Sequence, residues 1–219
     1  MRGITSGAAY HPRMKTILIT GGTGDLGHAV VPRILRDHRC IVVYRSRDAF
    51  DKLVAQIGDS DRLSGIAQDE DPGPIDGLVM LAGGFAAGGG AEDFTKMLEV
   101  NLLTAVRAVT AALPHLADGG RIVAVSSSAA VNKPAGLAAY AVAKASLVTY
   151  IQILAKELKK RRITANALAP GAMDTPGNRG SMKAEGLVPR AHVAETIAYL
   201  LSDEASEITG QLVVLDEPS

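Results

Sequence analysis

Residues 15–27 read Lys-Thr-Ile-Leu-Ile-Thr-Gly-Gly-Thr-Gly-Asp-Leu-Gly. The aliphatic and β-branched run Lys15 to Thr20 has the character of a buried parallel strand, and the pattern from Asp25 to Arg36 is helical. Glycines between a strand and a helix make a tight turn. With no side chains at Gly22, Gly24 and Gly27, the backbone can approach a pyrophosphate, and the helix N-terminus turns unpaired N–H groups toward the negative charge. Gly22-x-Gly24-x-x-Gly27 fits the general dinucleotide pattern. The chain contains 23 glycines, so the spacing alone is weak and the flanking strand and helix carry the reading. The candidate phosphate cradle is Gly21, Gly22, Thr23, Gly24, Asp25, Leu26 and Gly27.

A second apolar run, Cys40 to Tyr44 (CIVVY), is followed by Arg45-Ser46-Arg47. An enzyme using NAD places an acidic residue near this point to hold the ribose 2′-hydroxyl. Here the position is basic. A carboxylate repels a 2′-phosphate, whereas a guanidinium pairs with it bidentately, so Arg45, Ser46 and Arg47 favour NADP(H), with NAD(H) still possible. The competing reading is a pair of solvated loop arginines.

Further along, Tyr140-Ala-Val-Ala-Lys144 puts a phenol and an ammonium on one helix face. A nearby positive charge stabilises a phenolate and lowers the tyrosine pKa, which makes it a usable acid or base near neutrality. Upstream, Gly120 to Ser128 (GRIVAVSSS) is an apolar strand that ends in three hydroxyls before the loop leading to that helix.

Residues 120–146, GRIVAVSSSAAVNKPAGLAAYAVAKAS, strongly resemble the short-chain dehydrogenase/reductase family, and the resemblance runs from about Lys15 to Leu215. It implies a catalytic serine thirteen residues before the tyrosine, which selects Ser127. Asn101 matches the fourth member of the family's tetrad with Ser127, Tyr140 and Lys144, and by resemblance holds a water linking Lys144 to solvent. Tyr140 and Lys144 also contact the cofactor. Pro170, Gly171 and Thr175, in NALAPGAMDTP, match the segment that closes over the nicotinamide, and Ala82, Gly83 and Gly84 follow the fourth strand. Ile208 to Gln211 resembles the approach to the family's last strand. The implied activity is NADPH-dependent reduction of a carbonyl, or oxidation of an alcohol, by hydride transfer.

The chain also departs from the family's pattern. Asp25 stands where a glycine is usual, and Gly24 comes one place early, as in the family's extended branch. Met80-Leu81-Ala82-Gly83 replaces the usual Asn-Asn-Ala-Gly, and Leu81 cannot make that asparagine's amide hydrogen bonds. Between strands near Leu63 to Ala67 and Gly77 to Leu81 lie only Gln68 to Asp76, so a crossover helix is missing. Nine extended residues span about 30 Å, enough to cross a few strands at roughly 4.8 Å each. Part of one sheet face is then thinly covered. Ala82 to Gly89 and Asp174 to Arg179 resemble the dihydropteridine reductases, which implies a pterin as an alternative substrate. Those reductases generally prefer NADH and do not depend on the serine, which Arg45 and Ser127 count against.

Strands near residues 15, 40, 63, 77, 121, 163 and 211 alternate with helices near 25, 48, 92, 137 and 190. This order predicts a single α/β, doubly wound Rossmann-type domain with about seven parallel strands and the site at their carboxyl ends. Residues 1–13 read as a disordered extension and 14–219 as the catalytic domain. At 219 residues and 47% apolar composition the chain can bury a sizeable core. Twenty-three basic and 23 acidic residues leave no basic stripe, so no nucleic-acid partner is expected. No uninterrupted apolar run reaches the roughly 18 residues of a membrane span, and no secretory h-region precedes the first strand. The expectation is a soluble cytoplasmic protein. A lone cysteine, Cys40, reads as core, and the five histidines show no metal-ligand spacing.

The helix from Leu137 to Lys160 is apolar on more than one side. Family resemblance implies that it and the helix from Glu92 to Leu116 pack against another subunit in a homodimer or homotetramer. An intramolecular core helix explains much of the same pattern. The contrasting functional class is a protein of this fold that binds NADP as a redox sensor and does no chemistry.

Overall fold

A computed structural model describes residues 13–180 and 186–216. Seven parallel strands form one sheet in the order β3-β2-β1-β4-β5-β6-β7. They are β1 Thr16–Thr20, β2 Arg39–Tyr44, β3 Leu63–Ala67, β4 Ile75–Met80, β5 Leu116–Val125, β6 Thr164–Pro170 and β7 Leu212–Leu215. The order reverses at β1, where β2 lies on one side and β4 on the other. The carboxyl ends of β1 and β4 therefore border the crevice in which doubly wound folds bind ligands.

Strand alternation divides the core into two layers. Ile17 and Ile19 face one side with Val42, Val79 and Leu168, and helices α1 (Gly27–Leu35), α2 (Arg47–Ile57) and α8 (Arg190–Leu201) cover them. Leu18, Leu78, Met80 and Ile122 face the other side, under α4 (Thr104–Ala112) and α6 (Ala138–Glu157). Each such fully buried aliphatic side chain contributes roughly 1.5–3 kcal/mol relative to exposure. By length and composition α6 could cross a membrane, a feature that counting uninterrupted apolar residues misses. It is a core helix here, with Leu147, Ile151 and Leu154 packed under the sheet.

No helix links β3 to β4; residues 68–74 make the connection. The expected thin cover is visible at Ile41, Val43 and Ile66, which are only half-buried against the α4/α6 layer. Cys40 has no exposed surface, and burial pushes its thiol up to about 12, so it is an inert core residue.

The helix expected from Glu92 to Leu116 is shorter and irregular. It comprises α3 (Ala91–Leu98), a π-helical turn at Glu99–Leu103, and α4, which stops at Ala112. Pro114 lacks an N–H and cannot continue the helix, and β5 begins at Leu116, earlier than the Gly120 expected. Likewise α6 ends at Glu157 and tightens into a 3₁₀ turn, Leu158–Arg161.

Candidate active site

The cradle lies where β1 meets α1. Gly21 has φ +73°, and a Cβ there would stand 2.4 Å from the Ala82 backbone nitrogen. At Gly27 a Cβ would stand 2.0 Å from the Gly22 carbonyl oxygen. Both positions admit only glycine, one for the turn and its approach to the segment after β4, the other for helix-on-strand closeness. Leu26 gives α1 no side-chain cap; the His28 amide bonds the Gly24 carbonyl at 3.1 Å, and the Ala29 and Val30 amides bond that of Leu26 at 3.0 Å, so the positive end of the helix dipole is what this turn offers an anion. A side-chain-free glycine turn at a helix N-terminus fits a dinucleotide pyrophosphate. Gly24 is exposed and Asp25 extends into solvent, with its carbonyl accepting from Arg190 Nη1 at 2.7 Å.

The two arginines after β2 are not equivalent. Arg47 begins α2, pairs with Asp51 at 2.9 Å, and lies 5.9 Å from the Tyr44 ring centroid and 5.7 Å from that of Phe50. Arg45 and Ser46 are exposed. Arg45 makes no ion pair among the described residues, and it is the guanidinium at liberty to meet a phosphate.

Four side chains converge beyond β4 and β5. Ser127 follows the carboxyl end of β5, and its Oγ accepts from the Ala129 amide at 3.2 Å. Tyr140, in the first turn of α6, stands beside Ser127, close enough for that hydroxyl to favour its phenolate. One turn on, Lys144 Nζ lies 5.9 Å from the Tyr140 ring centroid and donates to the Val125 carbonyl at 3.1 Å. Asn101 is 1% exposed in the π-helical turn. Its Nδ2 donates to the carbonyls of Gly84, at 2.9 Å, and Met97, at 3.1 Å, while its Oδ1 accepts from the Gly84 amide at 3.1 Å. Both amide protons are thus committed to protein carbonyls. A Cβ on Gly83 would lie 2.8 Å from Asn101 Oδ1 and 3.2 Å from Lys144 Nζ, so this glycine lets the loop pass between them.

Burial dominates the electrostatics. It raises the Tyr140 phenol above its ordinary range, and the Ser127 hydroxyl offsets part of that rise. Lys144 is lowered to about 8 by desolvation. The expectation that Lys144 lowers the phenol pKa is not realised in this arrangement, where the ammonium bonds Val125 instead.

A buried lysine also gives stability a pH signature. Below about pH 8 the folded chain buries a charged ammonium, at a cost of about 3 kcal/mol. Between about 8 and 10.5 the unfolded chain holds a proton that the folded one has lost, so stability rises with pH across this window. In Lys144→Met that rise is absent. Urea unfolding at pH 7 and pH 10.5 should show the parent gaining about 3 kcal/mol on the variant; a constant difference would refute the buried charge.

Pro170 ends β6, and its carbonyl accepts from the Ser128 amide at 2.9 Å, which ties this strand to the serine segment. Gly171 donates to Leu215 at 2.7 Å. Thr175 Oγ1 accepts from the Asn178 amide at 3.2 Å and caps α7 (Pro176–Arg179). The segment is braced by an Arg179–Asp174 ion pair, with Nη2 to Oδ2 at 2.6 Å, which holds the Asp174 carboxyl below its ordinary range. Phe85 is 66% exposed and meets the Tyr140 ring edge-on at 5.0 Å, forming an apolar wall beside the phenol.

The carboxyl ends of β1, β2, β4, β5 and β6 therefore gather every described candidate residue. Sequence reasoning missed the Val125 carbonyl, because a backbone acceptor has no residue signature. It also missed the Gly83 passage and the π-helical turn that aims Asn101.

Comparison with known proteins gives consistent matches. Residues 46–217 match the family described as enoyl-(acyl carrier protein) reductase. The cyclic-di-GMP-binding biofilm dispersal mediator protein of Escherichia coli (strain K12) is 30% identical over 226 residues, which cover 92% of this chain and 95% of that protein. The 3-oxoacyl-(acyl-carrier-protein) reductase MabA of Mycobacterium tuberculosis (strain ATCC 25618 / H37Rv) is 29% identical over 235 residues, 97% of this chain and 95% of MabA. A short-chain dehydrogenase/reductase from Serratia marcescens BCRC 10948 superposes with TM-score 0.83 at 28% identity, covering 94% of this chain and 98% of that one. A blue fluorescent protein from a metagenomic library, solved in complex with NADPH, superposes with TM-score 0.82 at 27% identity, covering 92% and 96%.

Proposed function

This chain belongs to the short-chain dehydrogenase/reductase family, and on that premise we propose that it is an NADPH-dependent oxidoreductase reducing a carbonyl, or oxidising the matching alcohol, with Tyr140 as general acid/base. The observation that carries the reading is the Tyr140 phenol beside Ser127 and one helical turn from the buried Lys144, whose Nζ lies 5.9 Å from the phenol ring centroid. A member with the fold alone has no need to bury a lysine beside a tyrosine.

Gly21 to Gly27 would hold the cofactor pyrophosphate, Arg45 the 2′-phosphate, and Ala82 to Gly84 with Pro170, Gly171 and Thr175 the nicotinamide half. When bound, the nicotinamide supplies a hydride to the carbonyl carbon. Ser127 donates a hydrogen bond to the carbonyl oxygen, and Tyr140 gives that oxygen its phenolic proton as negative charge develops there. The phenolate left behind is stabilised by the Lys144 ammonium once it turns from the Val125 carbonyl toward the phenol. Asn101 locks the Gly84 loop against the π-helical turn, and with both its amide protons engaged, a water beside Lys144 would be held by a backbone carbonyl instead. Phe85 offers an apolar contact to whatever flanks the carbonyl, a pterin included.

The preference for NADPH rests on Arg45. Fluorescence titration should find NADPH bound more tightly than NADH, and Arg45→Asp should move the ratio toward NADH by at least tenfold, the effect of replacing a phosphate-pairing cation with a carboxylate. An unchanged ratio would remove Arg45 from the cofactor site.

The binding-only alternative draws support from the name of the Escherichia coli relative, a ligand-binding mediator. Retention of all four tetrad side chains at one place favours catalysis. Exposed Leu103 in the π-helical turn and Val142 and Ile153 on α6 support a homo-oligomer formed through those faces.

A further inference from the structure

At the end of the sheet opposite the tetrad lies an open recess of about 940 Å³, near the amino end of β6. Ligand pockets of small molecules run to roughly 300–1,000 Å³. Arg121, which pairs with Thr164 across β5 and β6, is on its wall with Lys156, Lys159 and Arg162. Glu207 is the single carboxylate among its lining residues. Arg121 is engaged by the Gly119, Gly120 and Ser202 carbonyls and by Asp203; in a chain with formal net charge zero, the other three cations facing one carboxylate are a local excess that favours an anion.

Lys156, Lys159 and Arg162 are exposed, and among the described residues their side chains make no ion pair or hydrogen bond. Arg162 holds φ 54°, a left-handed conformation that costs a residue with a Cβ roughly 1–2 kcal/mol and glycine almost nothing. The residue caps the 3₁₀ turn, its amide bonding the Leu158 and Lys159 carbonyls, and this sets its exposed side chain among those lining the recess. Thr164, on the same wall, is 5% exposed, and its buried hydroxyl has no partner among the described residues. Gln152, Thr209 and Gln211 add neutral hydrogen-bonding groups, and no aromatic side chain lines the recess, so nothing there can stack a nucleobase.

We propose that this recess binds a small, multiply phosphorylated polyol, with the cations on its phosphates and the amide and hydroxyl side chains on its hydroxyls. Tyr140 and Lys156 lie sixteen residues apart on α6, about 24 Å at 1.5 Å per residue. The recess is therefore separate from the cofactor cradle, and the proposal does not depend on the catalytic reading.

Isothermal titration of the full chain with fructose 1,6-bisphosphate tests it, with glucitol as the uncharged control. Saturable one-to-one binding is expected. It should weaken at least tenfold in the K156Q/K159Q/R162Q variant, whose thermal melt should match the parent because all three positions are exposed, and should persist in Tyr140→Phe. Absence of saturable binding overturns the proposal, as does undiminished binding by the triple variant, which would put the anion at the α1 N-terminus. A triple variant that fails to bind but also changes sedimentation reassigns the cations to an interface between copies of the chain, and overturns it too.

Discussion

Tyr140→Phe should lower turnover by roughly 10²- to 10⁴-fold, the range for loss of an acid–base group, while leaving NADPH affinity within a few-fold of the parent. Phenylalanine keeps the ring that packs edge-on with Phe85 and removes only the hydroxyl beside Ser127. The fold is therefore unaffected, and the Ser127 hydroxyl remains the one donor for the carbonyl oxygen. Steady-state kinetics beside a cofactor titration separates the two effects. A loss of binding equal to the loss of turnover would make Tyr140 a cofactor contact, and unchanged turnover would end its assignment as acid/base. Ser127→Ala should be the milder variant, because the proton still has its source.

The second large effect falls on stability. Gly27→Ala adds a methyl group 2.0 Å from the Gly22 carbonyl oxygen, with the Gly22 carbonyl carbon at 2.3 Å. No side-chain rotation relieves this contact, because both partners are backbone. Either α1 moves off β1 or the turn deforms, at a cost of about 3 kcal/mol, the upper end of ordinary overpacking. For a chain of this length that is a fall of roughly 6–12 °C in Tm. The same displacement pulls the N-terminus of α1 and the glycine turn out of line, so NADPH binding should fall at least tenfold in protein that is still folded at 20 °C. Gly24→Ala is the contrast in stability, since an added Cβ would meet only the Gly21 carbonyl oxygen at 3.4 Å, and its Tm should stay near the parent's. Equal behaviour of the two variants would show that the cradle does not depend on close approach.

The architecture was legible because it rests on local patterns. Aliphatic runs such as Ile17 to Ile19 and Ile41 to Val43 alternate with helical periodicity, and that alternation permits few topologies. Even the missing crossover helix could be read, because residues 68–74 are too few and too rich in Asp, Pro and Gly to form one. Helix ends and irregularities were less accessible. Nothing in Glu99-Val-Asn-Leu-Leu103 announces a π-helical turn, since its stability comes from packing on neighbouring elements.

The site divides along the same line. Spacing found Tyr140 and Lys144, and family resemblance selected Ser127 and Asn101, all of which the fold brings together. What spacing cannot supply is environment. Lys144 is fully buried and donates to Val125, so desolvation governs it, where the sequence pattern suggested a simple charge beside a phenol. Arg45 and Arg47 look alike in sequence, yet Arg47 is engaged by Asp51 and two aromatic rings while Arg45 is open. The recess at the far end of the sheet was invisible because its walls come from three separated stretches, near residues 120, 160 and 208.

The most direct test of the account is NADPH oxidation by the purified chain against a panel of small ketones, aldehydes and a quinonoid pterin, followed at 340 nm. The account predicts turnover with at least one carbonyl, faster with NADPH than with NADH, and abolished in Tyr140→Phe. NADPH binding with no turnover on any substrate would contradict the catalytic claim and leave the binding-only alternative in its place.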